Sequence, residues 1–265
     1  MNTFEKNEQY KEILLDIKNT KIYQTIKINN LILKGTRKKT DSRLGIILDH
    51  FDPENKKILD VGCSNGFFCY ELAKMGAIVS GVDKNKEVIS LNNKITKYFG
   101  LNINFFENNV DLNFFNDLSD YDVILFLSVL HHIFHHCRQK PLELCNEIIK
   151  SISKKTNLLI FEIGQSAEPF TWSKKLSLME PDPKQWVIDN LFDGSDFTNI
   201  EVVDPPAFTK GKLASLRKFI WKWNRKISLL PLSLRTIIPK TFIFLIVKMF
   251  IYDPRDTRFI FFAKK

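Results

Sequence analysis

The sequence predicts an α/β fold built on a parallel sheet, and three observations carry that expectation. From Lys57 to Ile163, short apolar runs alternate with longer amphipathic stretches, the βαβ rhythm that sets successive strands parallel. The run Lys57-Ile58-Leu59-Asp60-Val61 passes directly into a glycine-bearing turn, Gly62-Cys63-Ser64-Asn65-Gly66. A second apolar run, Ile78 to Val82, ends on a lone carboxylate, Asp83, 23 residues beyond Asp60.

Taken in order, residues 4–28 alternate charged and apolar positions at helical spacing, which predicts one or two helices packed outside the core. Leu31 to Arg43 reads as a basic turn and Leu44 to Phe51 as a short helix before Asp52-Pro53. Strands are expected at 57–61, 78–82, 102–107, 122–128 and 157–163, with helices near 66–75, 85–98, 112–117 and 141–153. Phe197 to Val203 and Arg258 to Ala263 supply a sixth and a seventh strand. Two segments exceed this plan, Gln165 to Ser195 and Lys210 to Asp253. Insertions at strand ends overhang a site while the sheet stays rigid, so they commonly set specificity. The expected division is an N-terminal helical cap over 1–50 and a main domain over 51–265, with a helical insertion at 209–256.

The 265 residues suffice for a substantial core, and 44% hydrophobic with 26% charged residues excludes bulk disorder. A net charge of +9 favours acidic partners: nucleic acid, phosphorylated metabolites or an anionic membrane face. Cys63, Cys69, Cys137 and Cys145 lack paired spacing and read as reduced thiols. The polar N-terminus has no apolar signal region, so a cytoplasmic protein is expected, with peripheral membrane contact left open.

A tight turn after the first strand lets a ligand approach the backbone, and a carboxylate at the next strand tip can accept hydrogen bonds from both ribose hydroxyls. A nucleoside cofactor is therefore expected across the strand ends. The dinucleotide template asks for glycine at 64 and 67, where the chain has Ser64 and Phe67, so NAD is disfavoured.

The pattern Asp60-x-Gly62-Cys63-x-x-Gly66-x-Phe68 instead resembles motif I of the class I S-adenosylmethionine-dependent methyltransferases, with Ser64 where many members carry glycine. The resemblance implies a Rossmann-like seven-stranded sheet with helices on both faces and an antiparallel last pair. It also implies S-adenosylmethionine as cofactor. The turn residues Asp60, Gly62, Cys63, Ser64, Gly66 and Phe67 would lie against it, with Asp83 and Lys84 at the ribose. Asn109 would face the adenine amino group and the Val110 N–H its ring nitrogen; Asn109 stands where relatives often carry an acid. Ser128, ending the fourth strand, would face the crevice, and Arg37 or Arg43 would pair with the methionine carboxylate. For these two arginines a merely solvated basic face is the competing reading.

The fourth strand runs into Val129-Leu130-His131-His132-Ile133-Phe134-His135-His136. The pairs 131/135 and 132/136 have helical metal-binding spacing, but no third ligand lies nearby, and no metal site is expected. His131, ahead of His132, is the candidate base for a substrate hydroxyl, with structural packing the alternative. Glu162, ending the fifth strand, is a second candidate for base or substrate contact, or else an anchor for the flanking loop.

Lys210 to Lys226 is amphipathic and basic if helical, and Thr241 to Tyr252 is a twelve-residue apolar run broken by Lys248. Together they suit either a cap on the sheet or a segment resting on an anionic membrane. The expected activity is methylation of a sugar or phosphorylated sugar hydroxyl in surface-glycan synthesis. RNA methylation and a catalytically silent scaffold are the alternatives, and the oligomeric state stays open.

Overall fold

A computed structural model describes residues 3–29, 31–37, 40–164, 182–204 and 258–265. Strands β3 (Lys57–Val61), β4 (Ile78–Asp83), β5 (Ile103–Glu107), β6 (Tyr121–Leu127) and β7 (Thr156–Glu162) pair in parallel. With β8 (Asn199–Val203) and β9 (Ile260–Lys264) they form one seven-stranded sheet in the order β5-β4-β3-β6-β7-β9-β8. β9 is antiparallel to both β7 and β8, as the methyltransferase resemblance implies.

The central strands are near-continuous apolar runs because both faces are covered. Ile58, Leu125 and Ile160 face one core, shared with α3 (Phe67–Lys74), α4 (Lys86–Phe99) and the N-terminal segment. Their chain neighbours Leu59, Ile124, Phe126, Leu159 and Phe161 face the other. That second core is closed by α5 (Leu112–Asp117), α6 (Leu130–His136), α7 (Pro141–Lys155) and α8 (Pro183–Leu191). Helix starts follow local chemistry. Asn85 caps α4 by accepting from the Glu87 and Val88 N–H groups, and Asp182 caps α8 just ahead of Pro183.

The N-terminal third departs from expectation. A helix, α1 (Thr3–Asn19), is present, but β1 (Ile26–Ile28) and β2 (Leu31–Leu33) form an antiparallel hairpin where a helix and a basic turn were expected. Their alternation is period two: Ile26, Ile28, Leu31 and Leu33 are buried while Lys27 and Ile32 point to solvent. Nor is the segment outside the core, since Ile13 and the hairpin's inward residues belong to the first apolar cluster. The next helix, α2 (Thr40–Leu48), starts four residues earlier than expected and buries Arg43. The stretch 165–181 and the whole insertion, including its expected amphipathic helix and apolar run, lie outside the described residues.

Candidate active site

The sheet order reverses at β3, whose neighbours β4 and β6 connect in opposite directions, and ligands of open α/β sheets bind at such a point. A cavity of about 520 Å³ lies there, at the C-terminal strand ends. Its floor is the β3–α3 turn, in which Gly62 (φ 72°), Ser64 (φ 48°) and Gly66 (φ 77°) adopt the left-handed conformation. A side chain at Gly62 would put its Cβ 2.4 Å from a Val129 methyl, and one at Gly66 would press on the Phe105 and Tyr70 rings at 2.9 Å. Glycine is thus required at both ends of the turn.

Ser64 has no such freedom and is held from three sides. Its N–H donates to Asp83 Oδ2 (3.0 Å), its carbonyl accepts from Asn92 Nδ2 (2.8 Å) and its hydroxyl donates to Asn65 Oδ1 (3.3 Å). The other Asp83 oxygen accepts from the Asn85 N–H at 2.9 Å, so the carboxylate is oriented before any ligand arrives. Asn65 also accepts the Tyr23 N–H at 2.8 Å, tying the N-terminal segment onto the turn. Buried Asp60 lines the same cavity, and desolvation pushes its carboxyl up to about 7 although the Cys69 thiol and Arg43 oppose the rise.

Opposite the turn lies a cluster of buried charge. Glu162 is 1% exposed and meets Arg43 Nε at 3.0 Å, Arg258 Nη1 at 3.6 Å and Arg37 Nη2 at 3.9 Å. It also accepts a hydrogen bond from the Ser128 hydroxyl. Desolvation alone would raise its pKa, but Arg43, Arg37, Arg258 and Ser128 together hold it below the usual range. Glu162 is therefore an ionised anchor, and it does not line the cavity. Arg37 and Arg43 do line it while only 1% and 3% exposed, which overturns the solvated-face reading for both. Arg43 stacks over the Phe68 ring, and its buried Nη2 has no hydrogen-bond partner among the described residues. Burial, then the Arg37 charge, lowers its pKa to about 10.

The two leading histidines part company. His131 is 2% exposed, behind the cavity wall, and its Nδ1 accepts the Gly164 N–H at 3.3 Å. Burial, with Arg258 and His132 nearby, drives its pKa far below the ordinary value. His132 is exposed on the cavity side of α6 beside Val129, Ile133 and His136. Partial desolvation, then Arg258 and Lys84, lowers its pKa too, so its imidazole is neutral at pH 7.

Of the residues singled out from sequence, the cavity gathers Arg37, Arg43, Asp60, Gly62, Cys63, Ser64, Asp83, Lys84, Asn109, Val110, Ser128 and His132. Gly66 supports the turn from beneath, and Phe67 is packed in the apolar core while its neighbour Phe68 faces the cavity. Sequence reasoning missed Tyr23, Gln24, Leu127, Val129, Ile133 and His136 as lining residues. His136 carried a signal, its four-residue helical spacing from His132, whereas nothing local marks Tyr23. Among the described residues no three His, Cys, Asp or Glu side chains gather to hold a metal.

A family model described as a methyltransferase domain matches residues 52–202, more than half of the chain. The chain belongs to that family, the class I S-adenosylmethionine-dependent methyltransferases. It is 29% identical over 92 residues to a ubiquinone biosynthesis O-methyltransferase of Vibrio campbellii, covering 34% of this chain and 39% of that protein. It is 24% identical over 177 residues to the O-antigen chain terminator bifunctional methyltransferase/kinase WbdD of Escherichia coli, covering 63% of this chain and 24% of that one. A crystal structure of WbdD superposes with a TM-score of 0.54 at 22% identity, covering 64% of this chain and 37% of that chain, a likeness of fold. The chain thus spans well under half the length of these relatives.

The cofactor of the family is S-adenosylmethionine, and the cavity fits it. The turn residues Gly62, Cys63 and Ser64 line the cavity directly, and Asp83 stands preoriented at the strand tip. Arg43, whose buried Nη2 has no hydrogen-bond partner among the described residues, lines the cavity and can donate to a carboxylate.

Proposed function

We propose that the protein methylates an oxygen of a sugar, or of a phosphorylated or nucleotide-linked sugar, in bacterial surface-glycan biosynthesis. The observation that carries this reading is a neutral imidazole, His132, on the wall of the cofactor cavity, beside Val129 and Ile133. S-adenosylmethionine, when bound, supplies a methyl group already activated on a sulfonium. The residues that would hold it are Asp83 at the ribose hydroxyls, Asn109 and the Val110 N–H at the adenine, and Arg43 with Arg37 at the carboxylate. The protein's remaining tasks are alignment, exclusion of water and removal of one proton. A sugar hydroxyl has a pKa far above neutral, so a base helps, and His132 can take its proton while uncharged. His131, held through the Gly164 N–H, positions α6 and hence its neighbour. Glu162 keeps the two cavity arginines in place.

The O-methyltransferase relative supports oxygen as the acceptor atom, and the O-antigen relative supports a glycan. The test is transfer of labelled methyl to a panel of free, phosphorylated and nucleotide-linked sugars. Label is expected on a sugar, and His132→Ala should lower kcat by about 10²–10⁴-fold with cofactor affinity unchanged. A variant as fast as the parent would remove His132 from the reaction, and label found only on phenols would refute the sugar.

A further inference from the structure

The protein's positive charge is segregated. Of its 39 lysines and arginines, 11 fall in residues 205–257, which hold two carboxylates, Asp253 and Asp256. The other 212 residues hold 28 cations and 28 carboxylates, so this one insertion carries the whole net charge of +9. A general lysine bias would have tilted the rest of the chain as well, and it has not. Seven of the 11 cations lie between Lys210 and Lys226 without an intervening acid, interleaved with Phe219, Trp221 and Trp223. The run Thr241 to Tyr252 adds twelve residues broken only by Lys248. That is short of the roughly 20 apolar residues a spanning helix needs. Clustered cations, interfacial tryptophans and a short apolar run are the composition of a segment that lies on an anionic bilayer.

The described strands fix where this segment is rooted. Val203, ending β8, pairs with Ile260, starting β9, and Ile260 pairs with Glu162 at the C-terminal end of β7. Both ends of the insertion therefore leave the sheet on the edge where the cavity opens. Arg258, just before β9, lies 3.6 Å from Glu162, which also pairs with the cavity arginines. We propose that residues 205–257 dock the protein on an anionic phospholipid bilayer, with the cavity end of the sheet toward the membrane, so that the acceptor is met at that surface. RNA phosphates would also attract the cations, but they give no use to the apolar run. The proposal stands apart from the identity of the acceptor.

The test is co-sedimentation of the full chain with vesicles of phosphatidylcholine alone or with one-third phosphatidylglycerol, at low and high salt. Binding to the anionic vesicles should be at least about tenfold tighter and should weaken with salt. The combined variant Lys212→Glu, Lys218→Glu, Lys222→Glu and Lys226→Glu should lose at least about tenfold of that binding while keeping its calorimetric affinity for S-adenosylmethionine. If the variant fails to fold, the lipid-charge and salt dependence of the parent protein decides. Equal binding to both vesicle types, no vesicle binding, a folded variant that binds as the parent does, or tighter binding to a single-stranded RNA oligonucleotide at the same salt would each overturn the proposal. No step of this assay requires methyl transfer, so its failure is separate from failure of the glycan reading.

Discussion

The two walls of the cavity are built in opposite ways. The cofactor wall, from Asp60 to Asn92, is one βαβ unit held by internal hydrogen bonds between residues at most 28 positions apart: Ser64 to Asp83, Asn85 to Asp83, Asn92 to Ser64. The facing wall sets Arg37 from the N-terminal segment, Arg43 from α2 and Ser128 after β6 against a buried support, Glu162 from β7 with Arg258 before β9. One wall uses backbone geometry that tolerates little substitution. The other uses buried charge, whose stability depends on every partner being present.

Removing one partner from the charged wall should have the largest effect. Glu162→Ala would leave Arg43 and its neighbours buried without their shared anion, at a cost of about 3–5 kcal/mol. Denaturant unfolding reads this directly, and a loss below about 1 kcal/mol would mean that water screens the cluster. On the cofactor wall, Asp83→Ala should weaken S-adenosylmethionine binding at least tenfold, about 1.4 kcal/mol, with little change in unfolding midpoint. A large loss of stability instead would make Asp83 mainly a clamp on Ser64.

A slope with pH separates the walls further. Asp60 is raised from 3.8 to about 7, so between those values the folded protein holds a proton that the unfolded chain has released. Stability from this group is greatest in acid and falls as pH rises through that window. Glu162, whose folded pKa is lowered, has the opposite sign: its stabilisation is present above the unfolded value and is lost as pH falls. Asp60→Asn should therefore remove a downward slope in unfolding free energy between about pH 4 and 7, and an unchanged profile would place the titration elsewhere. The smallest effect is expected for Ser64→Gly. A left-handed serine costs about 1–2 kcal/mol, partly offset by the greater chain freedom glycine loses on folding, about 0.5–1 kcal/mol. A gain in stability of at most about 1.5 kcal/mol should result, and a loss would show that the serine hydroxyl bond to Asn65 outweighs the strain.

The same contrast explains what could be read in advance. The sheet, its strand limits, the glycine turn and Asp83 were legible because each is written in a short window: an apolar run, a turn residue, a carboxylate at a strand tip. The hairpin β1–β2 was not, since Lys27 and the residues around Lys34 masked a period-two pattern only three residues long on each side. His131 and His132 are adjacent in the chain and equivalent by spacing. Only the rotation of α6 against the sheet buries one and turns the other toward the cavity.

By itself, then, the sequence determined the parallel α/β frame, the cofactor turn and the confinement of net positive charge to residues 205–257, all of them local or compositional properties. Tertiary structure alone decided that Arg37 and Arg43 are buried rather than solvated, and that Glu162 anchors them instead of facing the cavity. The physical reason is distance along the chain. A backbone turn takes its shape from its own residues, whereas a buried ion cluster exists only once elements 34 to 125 residues apart have packed against one another and excluded water.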